Sequence, residues 1–232
     1  MAVDFRAVGA LAANATTTTL AIVAPTLSVD DVMIASINQK ANQLITPPAG
    51  WEVVVEVNNT TAQRTSIFWK RAEAGDSGAT FNFTKPSDDN ILFCGCISAW
   101  SGCITTATPI DATAPSTSAN AAADEITYAD FDPTETIAFV VAIGTYNEDQ
   151  TTAGGIGGTN PTFTNRWDLE TPTGADSSIF GDSGSSNGAA TGARSQTSTS
   201  MTDAINTGIL FGLVAAPVAE GTPQFNIAYS VP

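Results

Sequence analysis

Apolar side chains recur at every second position along most of this chain, and that period specifies strands and not helices. Trp51, Val53, Val55 and Val57 alternate with Glu52, Val54 and Glu56. Phe81 and Phe83 flank Asn82, and Phe225, Ile227, Tyr229 and Val231 alternate with Asn226, Ala228 and Ser230. Each segment reads as a strand with one face on a core and one on solvent. The runs Ile91 to Trp100, Ile137 to Ile143 and Ile209 to Ala216 are apolar on both faces. Such strands belong at the centre of a sheet, where a second layer or a subunit partner covers the smaller side chains. Thr18 to Ala24, Val32 to Ile37, Thr65 to Arg71 and Ile126 to Phe131 complete the strand candidates.

Charged residues make up 13% of the 232 residues, about half the usual share, so Thr, Ser, Asn and Gly must supply the polar surface. These residues favour strands or turns over helices. The fold class that follows is all-β: an antiparallel two-sheet β-sandwich, or a jelly-roll-like relative, with very little helix. Ile137, Phe139, Val141, Ile143, Ile209 and Phe211 are its expected core.

Two halves echo one another. The first runs through Val32 to Ile37, Pro47 to Trp51, Ser66-Ile67-Phe68 and Asn90 to Gly95; the second through Ile137 to Ile143, Asn160 to Phe163 with Trp167, Ser178-Ile179-Phe180 and Gly208 to Gly212. The ordered set reads as a duplicated half-sandwich over about 18–111 and 126–232, sharing one core within a single domain, 1–232. Ala112 to Asp124 and Gly181 to Ser200 are low in complexity and read as mobile loops.

The net charge of −15 reflects few bases more than many acids: Lys40, Lys70, Lys85, Arg6, Arg64, Arg71, Arg166 and Arg194 are scattered. No basic patch exists to neutralise phosphates, which excludes nucleic acid and anionic membranes as partners. No run reaches the ~18–20 apolar residues of a membrane span. The segment Met1 to Arg6 makes a poor secretory signal, so the expected site of synthesis is a cytoplasm.

Chemistry is excluded mainly by the absence of histidine. Ser-His-Asp and Cys-His nucleophilic sites and His-ligated zinc all require it. No phosphate-binding or dinucleotide fingerprint occurs, and Gly154-Gly155-Ile156-Gly157-Gly158 before Asn160-Pro161 reads as a loop. Paired acids for glycoside hydrolysis could come from Glu52, Glu56, Asp130, Asp132, Glu135 and Asp168, which otherwise are solvated strand and turn carboxylates. Ser87-Asp88-Asp89-Asn90 and Asn147-Glu148-Asp149 could offer oxygens to calcium, but no EF-hand spacing supports it and polar turns explain them equally well. Cys94, Cys96 and Cys103 are an odd set, read as small apolar packing groups. Trp51, Trp69, Trp100 and Trp167 could stack on sugar rings, but core or subunit interface is the favoured reading: Trp51 and Trp167 fall at matching places as paired core anchors, and Trp100 at a strand end is the better candidate for an exposed contact. No catalytic, cofactor-binding or metal residue is assigned.

Taken in order, Asp31 to Ile37, Pro47-Pro48-Ala49-Gly50-Trp51, Ile67 to Ala72, Thr80 to Thr84, Ala99-Trp100-Ser101-Gly102 and Pro109-Ile110-Asp111 resemble a group of tailed-bacteriophage virion proteins. That group has a Pro-Pro-x-Gly-Trp turn, a Thr-Phe-x-Phe-like strand and an Ala-Tyr-Arg-Gly-like strand end before Pro-Ile-Asp. Trp100-Ser101 departs from its Tyr-Arg pair, and the likeness covers mainly the first half. The resemblance implies a non-enzymatic decoration, tail or fibre protein, located in the virion and made without a signal peptide. Its partners would be copies of itself and other capsid or tail proteins, and no functional residue carries over. The rival class is a module that binds carbohydrate or a cell surface, with a host surface glycan as partner.

Overall fold

The computed structural model describes residues 2–87, 90–135, 138–148, 155–171, 177–197 and 204–217, without the side chains at 121 and 122. These residues form strands and loops with no helix. The first half contributes β1 (Asp4–Val8), β2 (Ala12–Asn14), β3 (Thr19–Val23), β4 (Val32–Gln39), β5 (Glu52–Asn59), β6 (Gln63–Arg71), β7 (Thr80–Thr84) and β8 (Phe93–Ser101). The second contributes β9 (Ser116–Ala123), β10 (Glu125–Tyr128), β11 (Ala138–Tyr146), β12 (Thr164–Glu170), β13 (Ser178–Ser185), β14 (Arg194–Thr197) and β15 (Ala204–Val214). The pattern at Phe225 to Val231 and the expected core residue Ile137 lie outside the described residues.

All pairings between these strands are antiparallel. One large sheet runs β1-β8-β4-β6-β5, with β2 beside β1 on β8; the other runs β9-β15-β11-β13-β12. A two-stranded sheet accompanies each, β3-β7 in the first half and β10-β14 in the second. Strand for strand, β1 and β3 to β8 have the topology of β9 to β15. Ser66-Ile67-Phe68 and Ser178-Ile179-Phe180 therefore fall on equivalent strands, β6 and β13. Each isoleucine faces the other half and each phenylalanine faces outward. Asn90 to Gly95 and Gly208 to Gly212 are not equivalent in this way, because Phe93 of the first faces outward and Phe211 of the second inward.

The described residues are thus all-β and sandwich-like, but they form four sheets where two were expected, and their core divides into three clusters. Between the large sheets, Val32, Ile34, Ile67, Cys96 and Trp100 meet Phe139, Val141, Ile143, Ile179, Ile209 and Phe211. On the outer face of the first sheet, Met33, Ile37, Phe68 and Ile97 pack under Leu20, Ile22 and Phe83 of the small sheet. On the outer face of the second, Val140, Ala142, Phe180 and Leu210 pack under Ile126 and Tyr128. This layering explains why the central strands are apolar on both faces: each large sheet has a core on either side.

The halves meet with pseudo-two-fold symmetry. Phe5 of β1 stacks on Trp167 of β12 at 5.8 Å between ring centroids. In the equivalent corner, the Asn59 amide of β5 donates to the Asn120 carbonyl of β9 at 2.6 Å. The segment joining the halves is itself tied down: Ile104 N–H donates to Val214 O and Asp111 N–H to Gly212 O, both at 2.9 Å.

Three readings need correction. Ala112 to Asp124 holds β9, and Gly181 to Ser200 holds the end of β13 and all of β14. Backbone hydrogen bonds to a neighbouring strand need no particular side chain, and small residues let β9 lie close to β15. The valine-rich β5 does not keep one face throughout. A bulge between Val53 and Val55 shifts the register, so Trp51 packs in the outer core and Val57 in the inner one. Finally, Trp51 and Trp167 are both buried, but in different clusters, so they are not paired anchors of one core.

Candidate functional site

The six candidate acids are spread over β5, the loop before β11 and β12. Glu52 and Glu56 share β5, where the bulge sets them opposite Trp69 and Ser66, residues on different faces of β6. Glu56 is engaged by Arg64 at 2.6 Å and by the Ser66 hydroxyl at 3.3 Å. Asp130, Asp132 and Glu135 follow β10 in the loop before β11, and Asp168 is exposed on β12. Asp130 accepts the Gly192 N–H at 2.7 Å, which joins the loop to the approach to β14. Among the described residues no group of three His, Cys, Asp or Glu side chains could hold a metal ion. Of the possible calcium ligands, Asp88, Asp89 and Asp149 lie outside the described residues; Asn147 is buried and donates to Ala62 O at 2.8 Å.

The aromatic and thiol candidates are in the interior. Trp100 has no exposure, and its indole N–H donates to the Ser98 hydroxyl at 3.0 Å, so the better candidate for an exposed contact lies in the inner core, the favoured place for these tryptophans. The flanking Ala99 and Ser101-Gly102 misled because β1 covers this strand end. Trp167 sits over Gly181, where a Cβ would lie 2.0 Å from the indole ring. Trp69 is half-buried at the edge of the inner cluster. All three cysteines are buried and none forms a disulfide. Burial pushes the Cys103 thiol up to about 12 and raises Cys96 still further, so neither supplies a thiolate at neutral pH.

Two polar constellations escaped the sequence reading. The first lies between the halves. Thr65, Thr145 and Thr207 bond one another in a closed ring of 2.7 to 2.9 Å. The Gln63 amide bridges Thr145 at 2.9 Å and Asn38 at 3.0 Å. Asn38 in turn donates to Tyr146 O and to the Ser177 hydroxyl, each at 2.9 Å. Every donor has an acceptor of the other half or a relay toward one, so this network fixes how the large sheets align.

The second surrounds Asp182 on the outer face of β13. Its Oδ2 accepts the Gln196 amide of β14 at 2.8 Å, and Gln196 accepts the Tyr128 hydroxyl of β10 at 2.9 Å. Burial raises this carboxyl to about 6 against the pull of the Gln196 bond, with the charge of Asp168 adding to the rise. Asp182 lies inside the Gly/Ser-rich stretch, where nothing in the local pattern marks a strand pointing an acid inward.

A contrasting acid is Asp111, in the Pro-Ile-Asp segment. Its carboxylate accepts the Thr113 N–H at 2.8 Å, the Thr134 hydroxyl at 2.7 Å, the Thr134 N–H at 3.2 Å and the Glu135 N–H at 3.3 Å. Burial would raise this group, but those donors outweigh it and hold the carboxyl below its ordinary range. Asp111 therefore pins the segment between the halves to the loop before β11.

Comparison with known proteins finds no matching family, no matching curated protein and no matching solved structure.

Proposed function

We propose that this chain is a non-enzymatic structural protein of a tailed-bacteriophage virion, a capsid decoration or tail or fibre component that acts by self-assembly and packing on the particle. The observation that carries the reading is where its chemically capable side chains lie. The buried ones join strands and halves, as Thr65, Asn38 and Asp111 do, and the candidate acids are spread over β5, the loop before β11 and β12. The resemblance through the Pro-Pro-Ala-Gly-Trp turn and the Pro-Ile-Asp segment supports the virion assignment. The wide spread of Thr, Ser and Asn, with a net charge of −15, suits a particle surface that contacts neighbours through neutral groups.

The glycan-binding alternative draws less support, because Trp51, Trp100 and Trp167 are buried and offer no ring for a sugar to stack on. Antibody labelling of purified particles by negative-stain microscopy tests the proposal. Label at repeated positions on heads or tails is expected; antigen found only in the soluble fraction after particle purification would contradict it.

A further inference from the structure

Asp182 is 1% exposed, and its Oδ1 is buried without a hydrogen-bond partner. Ile156 and Asn165 lie near enough to temper its charge, but neither meets hydrogen-bond geometry at that oxygen. Leaving a carboxylate oxygen so placed is costly when the group is ionised and much less so when it is neutral.

The layer above Asp182 behaves as one unit. Arg194 of β14 donates to Gly157 O and Asn160 O of the loop before β12, and to Thr191 O at 2.9 Å. Its guanidinium also lies 5.5 Å from the centre of the Phe163 ring. Gly158, at φ 117°, leaves room for that side chain; a Cβ there would come within 1.6 Å of Nη1. The loop carries Ile156 and Phe163 into the outer core beside Phe180. A side-chain bond from this unit to β13 is Gln196 to Asp182.

We propose that Asp182 is a proton-operated latch for this outer layer: when neutral it seats Gln196 and the layer closes over Phe180, and when ionised it favours an opened layer in which water reaches the carboxylate. The closed form binds the proton more tightly than the open one, since its carboxyl titrates at about 6 where an open one returns toward 3.8. Closure is therefore strongest below the ordinary carboxyl value and weakens as pH rises, levelling off above about 6. The opening equilibrium grows by on the order of 100-fold across that window.

The other ionisable side chains of the surrounding elements are few. They are Arg166, Asp168 and Glu170 on β12, Glu125 and Tyr128 on β10, Tyr146 on β11 and Arg194 on β14; residues 155–163 carry none. Burial raises both tyrosines, which stay neutral throughout the window. Arg194 is committed to the carbonyls named above.

Hydrogen exchange of the full chain, followed by mass spectrometry between about pH 5 and 8 and corrected for intrinsic rates, tests the latch. Peptides covering 155–163 and 194–197 are expected to lose protection by roughly 10-fold as pH rises over this range, while those from β4 and β6 do not change. In Asp182→Asn the pH dependence should vanish. An unchanged slope in that variant, or protection independent of pH in the parent protein, would overturn the proposal. Carboxyl-carbon NMR of the parent protein gives a second measurement that needs no variant. A midpoint for Asp182 near 6, at the pH where exchange levels off, is expected, and a midpoint below about 4.5 also overturns it.

Discussion

Thr65 and Thr145 belong to different halves of the chain, yet their hydroxyls lie 2.9 Å apart with no exposure to solvent, and both bond Thr207. Each hydroxyl can donate one proton and accept another, so the ring satisfies all three only while the halves are in register. Thr65→Val should cost about 1–3 kcal/mol, because it leaves the other two hydroxyls short of a partner in a dry site. The double variant Thr65→Val, Thr145→Val should cost less than the sum of the single changes. Urea unfolding of the four proteins in a mutant cycle measures this; strict additivity would show that the ring does not act as a unit.

Phe139 is 7% exposed and its ring lies 5.7 Å from that of Trp100, across the boundary between the halves. Phe139→Ala should therefore destabilise the whole protein by about 3–5 kcal/mol, combining lost burial with a cavity. A loss below about 1 kcal/mol by denaturant titration would mean that the inner core tolerates the gap.

Asp111 contributes stability with the opposite pH sense to Asp182. Its folded carboxyl titrates below the ordinary 3.8, so its contribution is present above that value and is lost as pH falls through the folded value. Asp111→Asn should cost about 1–3 kcal/mol at neutral pH, since an amide cannot accept from Thr113, Thr134 and Glu135 with both atoms. Thermal unfolding of the two proteins should converge as pH drops below about 4. A gap that widened in acid would contradict the assignment.

No acid is expected to be indispensable to any action on polysaccharide. Purified protein incubated with host capsular or cell-wall glycan should release no reducing ends. Release that Glu52→Ala or Asp168→Ala abolished would make the chain a glycosidase and overturn the non-enzymatic reading.

The strands that sequence made legible are those with strong apolar patterning. β4, β6, β8, β11 and β15 announce themselves through their apolar residues, and in β8, β11 and β15 apolar residues on both faces signal a layer on each. β9 and β14 look like loops in sequence because Ala, Ser, Thr and Gly carry no periodic signal, and their pairing rests on backbone bonds. In β5 the valines fill both phases, so the bulge at Val53 to Val55 leaves no trace in the pattern. Trp100 stands out as an exposed candidate for a tertiary reason: the strand that covers it, β1, lies more than 90 residues away in sequence. The polar ring and Asp182 were invisible for a related reason, since each needs side chains from three or more strands whose proximity only the fold creates.

Sedimentation between about 20 and 500 mM NaCl tests the central claim, that this chain works by associating with copies of itself. Copies carrying −15 each repel one another, and salt screens that repulsion over about 8 Å at physiological ionic strength. Contacts made through backbone, Thr, Ser, Asn and apolar groups lose little to salt, so association into a trimer or another homo-oligomer should strengthen as NaCl is added. A monomer at every salt concentration, or an oligomer that falls apart as salt rises, would contradict it.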